Sequence, residues 1–368
     1  MRVLRSTTLL LVAFLATCAP ASRAGGRSDR PSRVVLLIGD GMGAAYWTAA
    51  RFASAPLSVE RCHVMGLVDT RSASAWITDS AAGATAYASG VRTFNGAIGV
   101  GPDSLPVPTV LEMARDRGWA TGLVVTSSVT HATPAAFVAH VPSREEQFEI
   151  ASELVASGVD VFLGGGASWF DASSRPDGRD LLGEVRADYA LVRNAGELGA
   201  VDLEATTRLA GLFADNHMPP AADRTPSLPE MTRTALAVLD HDPDGFFLMV
   251  EGSQPDFQGH ANAALDDVVA EVLDFDAAVG VVLDYADRHP ETLVVVLADH
   301  ETGGLAIETT PDSLLARGEP VRPWADYTST GHTAQMVPLF AAGAGAAAFG
   351  GIRSNFEVGQ LLQERVSR

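Results

Sequence analysis

The stretch Arg33-Val34-Val35-Leu36-Leu37-Ile38-Gly39-Asp40-Gly41-Met42-Gly43 decides the fold. Its apolar run has strand length and no alternation, the pattern of a strand buried on both faces. Runs of the same kind recur at 121–126, 159–163, 246–250, 292–297 and 337–341. Helical patterns lie between them. Ser143-Arg144-Glu145-Glu146 has the form of a capping box and predicts a helix to about Ala156. Pro229 to Leu239 and Ala263 to Ala286 read as further helices. Buried strands alternating with helices predict an α/β three-layer sandwich, a central mostly parallel sheet flanked by helices. Sites in such sheets lie where the strands end, and Asp40 sits at such an end.

The chain has 368 residues, 47% of them hydrophobic, enough for a large core in one domain. It carries no lysine, so its 26 basic residues are all arginine. Schiff-base chemistry and a Walker-A phosphate loop are thereby excluded. A net charge of −19 argues against a nucleic-acid-binding role. The N-terminus reads as a secretory signal over residues 1–24: Arg2 and Arg5, an apolar stretch from Leu9 to Ala16, then small residues through Ala24. It is too short to span a membrane. Cleavage there removes three arginines and no acids, giving −19 − 3 = −22. Cys18, after Leu15-Ala16-Thr17, loosely resembles a lipid-attachment box, with Thr17 a poor fit. Loss of Cys18 would leave Cys62 without a disulfide partner. Residues 25–32 read as a flexible leader and 33–368 as a single catalytic domain. Insertions are expected at about 168–227, as surface excursions, and at about 308–330, beside the site.

Chemistry-bearing residues gather directly after the apolar runs. Asp40 stands in a glycine-rich turn, a position that suits an Asx-turn as well as a metal ligand. Glu251 ends one run, and Asp256 and His260 follow it four apart, a spacing that shares one helix face. Asp299 and His300 are adjacent, either a solvated ion pair or donors to one metal. His332 comes from a distant segment, Ser329-Thr330-Gly331-His332-Thr333. Carboxylates and imidazoles brought to one place need cations between them. Ser80, after Asp79, opens a small-residue helix. It is a plain N-cap or, with metal beside it, a nucleophile favoured by the helix dipole. Arg144 reads as a solvated side chain or as a planar fork for two phosphate oxygens. His63, His140, His217, His241 and His289 have no role in this pattern and read as structural or surface residues.

These islands, in this order, resemble the alkaline phosphatase family from about Val34 to Gly345. The likeness is carried by 37–43, by Thr78-Asp79-Ser80-Ala81-Ala82 with Thr85-Ala86, and by His131-Ala132-Thr133-Pro134-Ala135-Ala136. Phe247-Leu248-Met249-Val250-Glu251-Gly252, Ala298-Asp299-His300-Glu301-Thr302-Gly303-Gly304 and 329–333 complete it. The resemblance implies that Ser80 becomes phosphorylated and that Arg144 clamps the phosphate. It implies one zinc ion at Asp256, His260 and His332, and a second at Asp40, Asp299 and His300. Magnesium would be held by Asp40, Thr133 and Glu251. Four acids bring roughly −4 and three divalent cations roughly +6, leaving about +2, which suits a phosphate monoester dianion or inorganic phosphate. Secretion to the periplasm or beyond, and a homodimer, are also expected from the resemblance.

Two positions depart from the best-known bacterial pattern: His131 replaces an aspartate and Phe257 a lysine. The first alters the surroundings of the third metal; the second predicts easier release of product phosphate. The nearest rivals are a phosphodiesterase of the same superfamily and a relative that binds metal or phosphate without catalysis. Arg144 favours a monoester over a diester, and the retained Ser80 speaks against the inert binder.

Overall fold

The structure is a computed structural model that describes residues 31–310, 317 and 323–367. The expected signal segment, the expected lipid-attachment site at Cys18 and most of the expected leader therefore lie outside the described residues, as does part of the 308–330 stretch.

The strands are β1 (Arg33–Gly39), β2 (Val64–Asp69), β3 (Ala120–Ser128), β4 (Val161–Gly165), β5 (Ala190–Val192), β6 (Leu209–Leu212), β7 (Phe246–Gly252), β8 (Thr292–Leu297), β9 (Glu301–Thr302), β10 (Leu305–Thr309), β11 (Pro323–Tyr327), β12 (His332–Thr333), β13 (Val337–Gly343) and β14 (Gly351–Ser354). Ten of them form one sheet in the order β14-β2-β13-β8-β1-β7-β3-β4-β6-β5. All pair in parallel except β13, which runs against both β8 and β2. The expected mostly parallel sheet is present, and β7 is buried along its whole length. Adjacent side chains of a strand point to opposite faces. Phe246 thus packs on Tyr285 of the helix Leu265–Arg288, while Phe247 stacks on Phe137 beyond the other face. Helices cover both faces, which is why the central runs are continuously apolar.

Four neighbouring strands, β8, β1, β7 and β3, deliver their carboxyl ends to one rim. Asp299-His300, Asp40, Glu251 and His131-Thr133 stand there. The reversal of β13 brings its amino end, and with it the preceding His332, to the same rim. β2 also ends at this rim and leads through a loop to Thr78-Asp79-Ser80.

Two expectations change. The stretch 168–227 is not only a surface excursion: β5 and β6 extend the sheet at its outer edge. They are too short, at 3 and 4 residues, for their periodicity to stand out. The helix expected from Ser143 begins later, at Gln147. The Ser143 hydroxyl accepts from Glu145 N–H, one residue short of the capping-box register, so Arg144 sits in the turn before the helix. In the other insertion, β10 and β11 form a separate two-stranded sheet.

Candidate active site

The rim carries acids that water does not reach. Asp40, Glu251, Asp299 and His300 are fully buried. Burial, reinforced by repulsion from Asp299, Asp256 and Glu251, holds the Asp40 carboxyl well above the usual carboxylate range. Burial pushes Glu251 up to about 8. Both Asp40 oxygens, Asp299 Oδ2, Glu251 Oε1 and the Thr133 hydroxyl lack any hydrogen-bond partner. Buried acceptors left in this state are expensive, and several in one place call for an external partner.

Three groups of ligand atoms converge, each within 4.8 Å: Asp256-His260-His332, Asp40-Asp299-His300 and Asp40-His131-Glu251. In the first, His260 Nδ1 faces the Thr330 carbonyl at 2.6 Å and His332 Nδ1 the Thr78 carbonyl at 2.9 Å. A carbonyl only accepts, so each Nδ1 carries a proton, and in the neutral form of each ring Nε2 is the nitrogen left to ligate. Those Nε2 atoms lie 3.1 Å apart and 3.4 and 3.5 Å from Asp256 Oδ1. Two imidazole nitrogens and a carboxylate oxygen meet at one point, which is a cation-binding arrangement. In the second group, His300 Nε2 lies 3.4 Å from Asp40 Oδ1 and 3.2 Å from Asp299 Oδ2. Burial, followed by repulsion from His332, keeps this imidazole neutral by pushing its pKa well down. The third group brings in His131, expected only as a neighbour of the metal ligands, while Thr133 presents its hydroxyl beside Glu251.

Gly41 lets these pieces meet. It adopts φ +72°, and a Cβ there would lie 2.8 Å from both Asp256 Cα and Thr302 Oγ1. Its N–H donates to Asp299 Oδ1 at 3.2 Å.

Ser80 is the first residue of the helix Ser80–Ser89 and is buried at 2% exposure. The N-cap is Asp79, whose Oδ1 accepts from Ala82 N–H at 3.0 Å. Ser80 is thereby released from capping, and its Oγ lies 3.2 Å from His300 Nε2. Asp79 Oδ2 accepts from Arg144 at 3.2 Å, and a second arm of Arg144 faces His131 Nε2 at 3.0 Å. Two of the five guanidinium hydrogens are engaged, and the rest remain for an anion beside Ser80. His131 is half-buried, and desolvation of its ring drives its pKa well down, with Arg144 adding to the effect.

His217, expected only as a structural or surface residue, packs against residues of the site. Its Nδ1 accepts from Ser128 N–H at 3.1 Å, and its ring packs on Phe257 at 5.0 Å and His131 at 5.3 Å. No periodicity could have found it, because it returns to the site from the outer-edge insertion.

An α/β sheet whose strand ends gather metal-ligand groups around a helix-opening serine defines a metal-dependent hydrolase architecture. The chain belongs to the alkaline phosphatase family, whose model matches residues 32–320. It is 40% identical over 302 residues to alkaline phosphatase 3 of Bacillus subtilis (strain 168), an alignment covering 77% of this chain and 63% of the relative. It superposes on the alkaline phosphatase of the Antarctic bacterium TAB5 with a TM-score of 0.84 at 35% identity, covering 92% of this chain and 98% of that one. A variant of that enzyme with a histidine changed to aspartate, described as having Mg bound in its M3 site, superposes at TM-score 0.83 and 34% identity, covering 92% and 98%.

Proposed function

We propose that the chain hydrolyses phosphate monoesters through a phosphoserine at Ser80, with two zinc ions and one magnesium ion. The observation that carries this reading is the Ser80 hydroxyl standing 3.2 Å from His300 Nε2, beside carboxylates that nothing in the protein satisfies. Zinc would be held by Asp256, His260 and His332 and by Asp40, Asp299 and His300. Magnesium would be held by Asp40, Glu251 and Thr133, with His131 adjacent. The histidine-to-aspartate variant of the TAB5 enzyme, described with Mg bound in its M3 site, supports a third metal site in this fold. When bound, these cations supply Lewis-acid stabilisation of the attacking and departing oxygens.

The protein's own residues do the rest. Arg144, pinned by Asp79, orients the phosphate oxygens against Ser80. Ser80 Oγ forms a bond to phosphorus as the ester oxygen leaves in line, and water then cleaves the phosphoserine. The helix N-terminus steadies the negative charge on the serine oxygen. His260 is exposed whereas Asp40, Asp299 and His300 are buried, so the leaving group and water approach from the His260 side.

The direct test is phosphate release from a chromogenic monoester and a matching diester. Ser80→Ala should lower monoester turnover by at least ~10³-fold. Equal activity on the diester would favour the phosphodiesterase, and stoichiometric phosphate capture without turnover the inert binder. A homodimer is proposed as well. Ile352 and Leu67 lie opposite each other across β14 and β2, and both, like Met65 two residues before Leu67, are exposed, an apolar patch suited to a second copy. Export rests on the Arg2-to-Ala24 pattern.

A further inference from the structure

We infer that Thr302 is a positioning residue that couples the two zinc groups through a single hydroxyl, an inference that rests on the metal-dependent reading above. Thr302 lies in β9 and pairs with His332 of β12. Its hydroxyl donates to Asp256 Oδ1 at 2.5 Å and lies 3.2 Å from His300 Nδ1. One side chain thus touches Asp256 of one group and His300 of the other, while its backbone holds the strand carrying His332.

The hydrogen count sets the direction of each bond. A hydroxyl has one hydrogen, and an ionised carboxylate can only accept. Because that hydrogen goes to Asp256, the hydroxyl can only accept from His300, so Nδ1 carries the imidazole proton. His300 Nε2 is then bare where it faces Ser80 Oγ at 3.2 Å, Asp299 Oδ2 at 3.2 Å and Asp40 Oδ1 at 3.4 Å. Without the hydroxyl, Nδ1–H loses its acceptor, and the proton is better placed on Nε2, where the neighbouring carboxylates accept it. A proton there occupies the position a cation needs.

The hydroxyl is held without slack. Tyr46 donates to the Thr302 carbonyl at 2.7 Å, and Thr302 N–H donates to the Gly41 carbonyl at 3.1 Å. A Cβ on Gly259 would lie 2.9 Å from Thr302 Cγ2, so only glycine leaves room for the threonine.

Thr302→Val keeps the shape and removes the hydroxyl; Thr302→Ser keeps the hydroxyl. Chelator-stripped protein is titrated with zinc against a competing chelator. The valine variant should bind zinc about 10–100-fold more weakly, and the serine variant close to the unaltered protein. Valine binding as tightly as threonine, or serine failing alongside valine, would overturn the inference. Unaltered protein that binds no zinc refutes the metal reading instead. In that case, or if the valine variant does not fold, the ¹⁵N ring signals of His300 in the unaltered metal-free protein decide. Protonation at Nδ1 is expected, and protonation at Nε2 sinks the assignment.

Discussion

Two buried acid clusters flank the helix Leu265–Arg288 and its neighbours, and they are built in opposite ways. Glu271 and Asp274 on that helix enclose Arg224, which pairs with them at 2.7 and 2.5 Å and is itself buried. Glu271 also accepts from Ala221 N–H at 2.7 Å, so this cluster is complete within the protein. It ties the end of the insertion, which carries His217, to the core. At the rim, Asp40, Glu251 and Asp299 are fully buried, yet among the described residues none of them is paired with an arginine. In both places burial raises the carboxyl pKa values. In the first an arginine offsets the effect, whereas at the rim the opposing contribution to Asp299 comes from the His332 imidazole. The contrast teaches that a buried charge is structural when its counter-charge is covalently part of the chain, and functional when that charge must come from outside.

The comparison can be broken most forcefully by chelation. Removing divalent metal should lower monoester hydrolysis by at least ~10³-fold, restored by zinc and magnesium together, as an assay before and after reconstitution would register. Metal-independent activity would mean that the orphaned oxygens have another partner. Next in size, Arg224→Met strands the buried Glu271 and the half-buried Asp274 and should remove about 3–5 kcal/mol of stability, equally with and without metal. Denaturant melts under both conditions check this.

The smallest effect is the sharpest, because its sign is reversed. Asp40→Asn should abolish activity, yet in metal-free protein it should relieve repulsion and stabilise by roughly 1–2 kcal/mol. The pH dependence follows from linkage. A carboxyl whose pKa is raised in the fold holds its proton there after the unfolded chain has lost it, so stability falls as pH rises. The fall should run from the ordinary carboxylate range up to about 8, the value for Glu251. Thermal melts of metal-free protein between pH 5 and 9 should show this decline, shallower in Asp40→Asn. A flat profile would remove the basis for the contrast.

Much of the rim was legible in the sequence because each of its strands announces itself as an apolar run and each ligand follows directly. Asp40 after β1, Glu251 in β7 and Asp299-His300 after β8 are local consequences of chain order. Asp79 and Arg144 show where legibility thins. Both were visible as residues, but not that Asp79 takes the capping role and frees Ser80, nor that Arg144 precedes its helix. β5 and β6 were too short to register, and His217 had no motif to mark it.

The sequence by itself determined the alternation of buried strands with helices, the rim at which acids and imidazoles emerge, and the absence of lysine to neutralise them. Tertiary structure alone decided that β13 runs backwards and so delivers His332 to that rim. It alone placed the hydroxyl of Thr302 between Asp256 and His300, and set the Nε2 atoms of His260 and His332 3.1 Å apart. The physical reason is range. Burial patterns are written residue by residue, whereas hydrogen-bond direction and ligand convergence depend on atoms that come within ångströms of each other only after distant segments pack.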